Sequence, residues 1–178
     1  MISQEDVIRL GTEVLEEMKD FSWIVFFDLF LAIAIKYFGE NHPDYVILET
    51  GIGGRYDSTN FIPDPIVSVI TSISLDHQAL LGDTLEKIAW QKAGIIKSDC
   101  PIFTVDSQKK SVLEVFAQEA SQLGATLQVV RVNRYCSYYF VALYLPLYVL
   151  LLVMTPLEYL HTYHMTLKSK IFASQLRC

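Results

Sequence analysis

The sequence predicts an α/β protein built on a doubly wound parallel sheet. Short runs of apolar and β-branched residues, typical of buried parallel strands, alternate along the chain with segments of helical periodicity. Glycines and prolines mark the boundaries between the two kinds of segment. Apolar residues make up 52% of the 178 residues and charged residues 19%, which excludes a disordered chain and allows one domain with a sizeable core.

Two helices are predicted ahead of the first strand. The segment Ser3–Lys19 begins with a capping serine and carries one apolar stripe at helical spacing. The segment Phe21–Phe38 is apolar nearly all round, with Asp28 and Lys36 as its only charges. Its length and those charges favour a buried helix packed on a sheet over a membrane span.

Strands and helices then alternate as far as Val130. The first strand, YVILE, ends at Glu49 and opens into the glycine-rich loop TGIGGRYDSTN. A later helix is expected to be capped by Asp83 and to stop at Gly94. The other predicted elements are strands over Ile66–Ile73, Pro101–Val105 and Thr126–Val130 and an amphipathic helix over Ser107–Leu123.

The character of the chain changes after Arg131. Glu158 is the only acidic residue beyond it, and Tyr135–Leu157 contains no charged residue. We therefore expect a domain over residues 1–130 and an atypical apolar tail over residues 131–178. The length of 135–157 matches a membrane span, although two prolines interrupt it; sequence read from a non-coding or shifted frame is the alternative explanation.

Charge and cysteine usage exclude several classes of function. A formal net charge of -6 argues against general nucleic-acid binding, which needs a basic face. The 3 cysteines form no CxxC pair and no disulfide framework, so reduced thiols in a reducing compartment are expected. The first residues, MISQEDVIRL, contain neither a signal core nor an Arg-rich presequence, which favours a cytoplasmic protein.

Polar residues end the first two strands, at the edge where open parallel sheets bind ligands. Glu49 ends one strand, and Asp76 with His77 follows the next. A carboxylate and an imidazole brought together there could hold Mg²⁺, which keeps several waters and shares its coordination with phosphate oxygens. Taken one at a time, a helix cap or ion pair for Glu49 and a simple polar contact for His77 are the alternatives.

The glycine-rich loop between these strands is a second candidate. Gly51, Gly53 and Gly54 would let the backbone approach a ligand closely, and Arg55 could meet an anion. The loop is neither GxGxxG nor GxxxxGK[ST], so a plain structural turn remains an equal alternative. Lys92 lies in the last turn of a predicted helix, where a cation also suits the helix dipole.

The order of these pieces resembles one known family. VILETGIGGRYDSTNFI, followed by VSVITSISLDHQALLGDTLEKIAWQKAGIIK, is similar to the folylpolyglutamate synthase/dihydrofolate synthase family within the Mur ligase superfamily. The DH pair is shared across the superfamily, whereas GGRYDSTN and LLGDTLEKIAWQKAGIIK are specific to the folate branch, so a cell-wall Mur ligase fits less well. The resemblance is strong over Tyr45–Pro101 and looser over Phe26–Val130.

The resemblance implies an ATP-dependent ligase and its ligands. Such enzymes use ATP to phosphorylate a carboxylate on dihydropteroate or on a folate, and the amine of L-glutamate then attacks the acyl phosphate to form an amide. Glu49 and His77 match the family's magnesium ligands, and Lys92 matches a catalytic lysine that the family carbamylates into a further metal ligand. The expected cofactors are Mg²⁺ and ATP, and the candidate cofactor-binding residues are Gly51, Gly53, Gly54, Arg55 and Asn60. A monomer in the cytosol, or in the mitochondrion, is expected.

Departures from the family limit what this chain is expected to do alone. Thr50, Ser58 and Gln91 stand where a small apolar residue, Ala and Glu are usual, and none of these changes removes a proposed ligand. No Gly-Lys-Ser or Gly-Lys-Thr occurs in the 178 residues, so no GTNGKGS-like phosphate loop is present among them. We therefore expect an incomplete central domain from a partial gene product, with weak ATP binding. A non-catalytic, membrane-tethered protein is the alternative.

Overall fold

The computed structural model describes residues 1–21 and 24–131 and the backbone of residues 151–155. The chain divides into two compact units: the described residues up to Val46 belong to the first unit and those from Ile47 to Thr155 belong to the second. The helices are α1 Gln4–Glu17, α2 Phe26–Asn41, α3 Gln78–Leu81, α4 Leu85–Ala93 and α5 Lys110–Gln122. The strands are β1 Val46–Glu49, β2 Val67–Ile70, β3 Ile102–Val105, β4 Leu127–Val130 and β5 Leu151–Thr155.

The first unit is a pair of packed helices. Ser3 caps α1 as predicted, because its Oγ accepts a hydrogen bond of 3.0 Å from the backbone N–H of Asp6. The shared core consists of Leu10, Val14, Met18, Ala32 and Ile33. The apolar periodicity of α1 therefore predicted its buried face correctly.

Helix α2 differs from its prediction in extent and in burial. It begins at Phe26, five residues after the expected start, and packs against α1 within its unit. Phe26, Phe27 and Phe30 are exposed, so the helix is buried along one face and not all round. Composition could not reveal this, because an apolar run without periodicity does not say which face is covered. None of the described helices is long and apolar enough to cross a membrane.

Ion pairs join the surfaces of α1 and α2. The guanidinium of Arg9 lies 2.6 Å from Glu40, and it also meets Asp6 and Glu13 on its own helix. Lys36 reaches Glu13 at 2.9 Å. Arg9 and its carboxylate partners are each more than a third exposed, so screening by water and salt keeps the contribution of each of these pairs to stability small.

The second unit contains a mixed sheet with the strand order β1-β5-β2-β3-β4. Strands β2, β3 and β4 pair in parallel, with Ser68 opposite Ile102 and Ile102 opposite Leu127, which confirms the predicted α/β class and its parallel strands. The sheet also contains β5, which pairs antiparallel with β2. No strand was predicted in the apolar tail, because a short apolar run cannot be told from a buried helix by periodicity.

The tail prediction can be compared with the structure only at β5. Residues 151–155 form a strand, and not a membrane helix, at the end of the segment for which a span was considered. The other residues of the tail, including Cys136 and Cys178, lie outside the described part of the chain. Cys100 is a free and buried thiol, as expected for a reduced protein, and burial raises the pKa of its thiol.

Helices α4 and α5 cover the core of the sheet. The central cluster contains Ile70, Ile102 and Phe116, all fully buried, together with apolar residues of α4. The buried hydroxyl of Ser68 on β2 donates a hydrogen bond of 3.0 Å to the carbonyl oxygen of Ile95, just beyond α4. This bond fixes the end of α4 against the sheet while satisfying a polar group inside the core.

The N-cap of α4 is Thr84 and not the expected Asp83. The Thr84 hydroxyl accepts a hydrogen bond of 3.2 Å from the N–H of Lys87, whereas the Asp83 carboxylate forms an ion pair with the Lys87 ammonium at 2.7 Å. Both residues are good caps, so their order in the sequence does not decide between them. The predicted end of the helix, at Ala93 followed by Gly94, is confirmed.

Candidate functional site

Glu49 occupies the carboxyl end of β1, where the sequence predicts it. Burial alternates along this strand, with Val46 and Leu48 buried and Ile47 and Glu49 exposed. The Glu49 carboxylate is therefore on the face of the strand opposite the core. A carboxylate in that position is accessible to a cation.

His77 has an unusual backbone conformation at the start of α3. Its φ angle is +50°, in the left-handed region that L residues with a side chain seldom adopt. Its backbone N–H donates to Asp76 Oδ1 at 2.7 Å, but its ring Nε2 lies 3.7 Å from Asp76 Oδ2, beyond hydrogen-bond distance. With the side chain 51% exposed, the imidazole is presented outward by a strained residue.

Lys92 is a buried amine in the last turn of α4. The residue is only 8% exposed, and its ammonium makes no hydrogen bond or ion pair with another described residue. Burial lowers the pKa of this amine below its ordinary value, while the negative charges of Asp76 and Asp57 oppose that shift. A neutral amine is the form that reacts with carbon dioxide, so this environment suits the expected carbamylation.

Gln108 fixes the segment that leads from β2 to His77. Its side-chain oxygen accepts from the N–H of Ile73 at 3.1 Å, and its nitrogen donates to the carbonyl of Thr71 at 2.6 Å and to Thr104 Oγ1 at 3.2 Å. Beyond Ile70, the buried amide thus satisfies backbone groups that a neighbouring strand would otherwise bond. Sequence reasoning missed this residue, for which a glutamine in a strand-to-helix loop is the only signal.

The glycine-rich loop lies directly on the end of α4. Gly53 and Gly54 have φ angles of +75° and +147°. A Cβ atom on Gly54 would be 3.0 Å from the carbonyl oxygens of Gln91 and Lys92, so glycine is required there by both conformation and space. Gly51, by contrast, is exposed in the bend that follows β1.

Arg55 and Asn60 contact the protein itself. The Arg55 guanidinium donates to the Trp90 carbonyl at 3.0 Å and to Glu119 at 2.6 Å. The Asn60 side-chain nitrogen donates to the carbonyls of Arg55 and Gly94, while its oxygen has no hydrogen-bond partner in the described part of the chain. These contacts use the polar groups that were expected to face a cofactor. Cofactor binding by Arg55 and Asn60 stays a prediction.

Asp57 organises the rest of the loop and borders a cavity. Its carboxylate accepts from the N–H groups of Ile52 and Thr59, each at 2.9 Å. A cavity of about 280 Å³ lies between the loop and α3, and its lining includes Tyr56, Asp57, Ser58, Leu80 and Gln91. Sequence reasoning did not single out this cavity, whose polar wall carries two of the departures from the family pattern, Ser58 and Gln91.

The predicted metal ligands are not part of a dense cage of protein ligands in the described part of the chain. Among the described residues, no group of three or more His, Cys, Asp or Glu side chains converges to hold a metal. Mg²⁺ needs only one or two carboxylate or similar ligands when phosphates and water complete its sphere. The exposed Glu49 and the outward His77 fit that requirement, and the metal site stays a prediction for these residues.

Comparisons with known proteins agree on one family, although no family model matches the chain. The mitochondrial folylpolyglutamate synthase of Bos taurus is 47% identical over 117 residues, covering 64% of this chain and 20% of the relative. The dihydrofolate synthase/folylpolyglutamate synthase of Bacillus subtilis is 48% identical over 103 residues, covering 57% of this chain and 24% of the relative.

Solved structures give the same result for the fold. The apo form of L. casei FPGS has a TM-score of 0.64 and 33% identity, over 75% of this chain and 33% of that chain. E. coli FolC in complex with DHPP and ADP also has a TM-score of 0.64, with 32% identity over 72% of this chain and 30% of that chain.

The fold and the matched segments define an α/β domain of the Mur ligase type. More narrowly, the chain belongs to the folylpolyglutamate synthase/dihydrofolate synthase family, as the motifs around Glu49, His77 and Lys92 indicate. It spans about a fifth to a quarter of the length of the curated relatives it matches.

Proposed function

We propose that this chain supplies the magnesium-binding edge of an ATP-dependent ligase that joins L-glutamate to a folate or to dihydropteroate. The observation that carries the proposal is the buried Lys92 amine, on which the negative charges of Asp76 and Asp57 act, in a chain that also exposes Glu49 and His77. Solved relatives described as an FPGS-AMPPCP-folate complex and as FolC with DHPP and ADP support the substrate classes.

Each proposed residue has a distinct role. Glu49 and His77 would hold Mg²⁺, which when bound would neutralise charge on the phosphate oxygens of ATP. The uncharged Lys92 amine would attack carbon dioxide and lose a proton. A side chain that is ordinarily a cation would thereby become a carbamate anion able to hold a second metal. The dipole of α4 stabilises a cation at its C-terminal end and opposes an anion there, so the metal has to offset it.

Metal titration tests the ligand assignment. Mn²⁺ binding to the 178-residue chain, followed by electron paramagnetic resonance with Mg²⁺ as competitor, should weaken by about tenfold or more in His77→Asn. Loss of a metal ligand should cost at least as much affinity as loss of a residue that only orients a ligand. Asparagine tolerates positive φ, so the backbone is kept. His42→Asn is the matched control, because His42 also has a positive φ, of 47°, but lies in the helical unit. Equal affinity in wild type and His77→Asn would rule out His77 as a ligand.

Carbamylation of Lys92 has its own test. Incubation with ¹³C-bicarbonate should give a carbamate signal in the carbon NMR spectrum at high pH, and Lys92→Arg should abolish it. Lys87→Arg is the matched control, because Lys87 is on the same helix with its side chain 63% exposed. A carbamate signal that survives Lys92→Arg but not Lys87→Arg would remove the proposed role of Lys92.

We further propose that the 178 residues alone bind ATP weakly and do not turn over. They contain no Gly-Lys-Ser or Gly-Lys-Thr sequence, and the guanidinium of Arg55 is engaged by Trp90 and Glu119. Calorimetric titration of ATP with Mg²⁺ should give no micromolar site, and a micromolar dissociation constant would contradict the proposal. Carbonate extraction from membranes would distinguish the tethered, non-catalytic alternative.

The compartment is proposed as the cytosol or the mitochondrion. The relatives from Bos taurus and Homo sapiens are named as mitochondrial synthases, whereas the one from Bacillus subtilis carries no such label. Fractionation of cells that express the tagged chain would assign the compartment.

A further inference from the structure

The side chain of Arg55 is held from three sides at the end of α4. Its Nε and Nη2 donate to the Trp90 carbonyl at 3.3 and 3.0 Å, and Nη2 also donates to Glu119 at 2.6 Å. The guanidinium carbon lies 3.9 Å from the centroid of the Trp90 ring. The ion pair is mostly buried, with the two side chains 23% and 16% exposed, so water screens it less than a surface pair.

The backbone around Arg55 binds the same helix end. The N–H of Arg55 donates to the Gln91 carbonyl at 2.7 Å, and the Asn60 side chain bridges the Arg55 and Gly94 carbonyls at 3.1 and 3.0 Å. The last carbonyls of a helix have no partner within it, so a loop that supplies donors replaces the missing turn. The glycine-rich loop thus acts as the C-terminal cap of α4.

Close contact leaves this junction little freedom to move. A Cβ atom on Gly94 would lie 2.2 Å from the Cα of Arg55, so backbone meets backbone there. Lys92 is in the turn that this contact holds. Asp57, whose charge reaches Lys92, is in the loop on the other side of the contact.

We propose that Arg55 is a positioning residue for Lys92: it fixes the last turn of α4 to the glycine-rich loop and so holds the Lys92 amine in its buried place. Arg55 acts through this turn and not by contact with a phosphate. The importance of Lys92 rests on the proposed ligase function, whereas the positioning itself can be tested without it.

Competitive amine labelling of the 178-residue chain tests the positioning. The acetylation rate of Lys92 relative to the exposed Lys87, at one pH under native conditions and read by mass spectrometry, should rise severalfold in Arg55→Met. Arg55→Lys should give an intermediate rise, because an ammonium can pair with Glu119 but cannot also form the fork to Trp90. Arg9→Met is the matched control, since it removes an arginine with 3 ion pairs from the helical unit.

Two results would overturn the positioning role. The first is an unchanged labelling ratio in a folded Arg55→Met chain. The second is an equal rise in Arg9→Met, which would show that global destabilisation explains the effect. If Arg55→Met does not fold, Glu119→Gln replaces it, with a smaller rise expected.

Mn²⁺ affinity separates this inference from the proposed function. A wild-type chain that binds no Mn²⁺ would contradict the metal-binding proposal and leave the labelling ratio to decide on Arg55. A wild-type chain that binds Mn²⁺, together with unchanged labelling in Arg55→Met, would reject the positioning role alone.

Discussion

Replacing His77 by glycine should stabilise the protein while weakening its metal binding. His77 has a φ of +50° and a side chain that is 51% exposed, so the substitution removes little packing. Relief of the left-handed conformation is worth roughly 1–2 kcal/mol, and the extra freedom of glycine in the unfolded chain offsets about 0.5–1 kcal/mol of it. The expected net gain in the free energy of unfolding is about 0.7 kcal/mol, the middle of a range of about 0–1.5 kcal/mol.

A comparison with His77→Ala isolates the backbone effect. Both variants lack the imidazole, but alanine keeps the Cβ atom that makes positive φ unfavourable. Urea unfolding monitored by circular dichroism should show His77→Gly more stable than His77→Ala by about 1 kcal/mol. The opposite order, which is the usual one inside a helix, would refute the assignment of strain to this position. Mn²⁺ binding should be weakened equally in both variants.

Three further outcomes follow from other groups in the structure. Thr50→Val should raise the free energy of unfolding by about 1 kcal/mol in urea, because the buried Thr50 Oγ1 has no hydrogen-bond partner among the described residues. Gln108→Ala should lower it by about 2–4 kcal/mol and speed hydrogen exchange at the Ile73 amide, whereas the exposed Gln122→Ala should change neither. Contacts with Arg9 hold the pKa of Asp6 below its usual value of 3.8 and that of Glu40 below its usual value of 4.5. The contribution of these carboxylates to the free energy of unfolding is therefore present above those values and is lost as the pH falls below them. In Arg9→Met, the free energy of unfolding should depend less on pH in this acid range.

Local signals explain how much of the fold could be predicted. The cap at Ser3, the apolar stripe of α1 and the stop at Gly94 depend on neighbours within one or two turns, and the structure has all three. The position of β5 between β1 and β2 depends on pairing between distant segments, which no local pattern encodes. Thr84 was missed for a simpler reason, since an equally good capping residue precedes it.

The same distinction between local signals and contacts of distant segments applies to the candidate site. Glu49 and His77 could be proposed as ligands because the residues that follow strands in parallel sheets are predictable ligand positions. The contacts of Arg55 could not, because its partners Trp90 and Glu119 are 35 and 64 residues away and the same guanidinium could equally have met a phosphate. A sequence shows which groups a loop carries, but whether they face a ligand or the protein depends on packing between elements.

His77 and Lys92, the two proposed ligands that follow β1 in the chain, are each held in a state that is unfavourable for folding. His77 has a strained backbone, and Lys92 is an amine held where burial disfavours its charge. Each is next to a strong anchor, with Gln108 fixing the segment before His77 and Arg55 fixing the turn that contains Lys92. Strain that persists beside such anchors is typical of preorganised sites. Substitutions at the ligands should therefore preserve or raise stability while removing binding, whereas substitutions at the anchors should lower both.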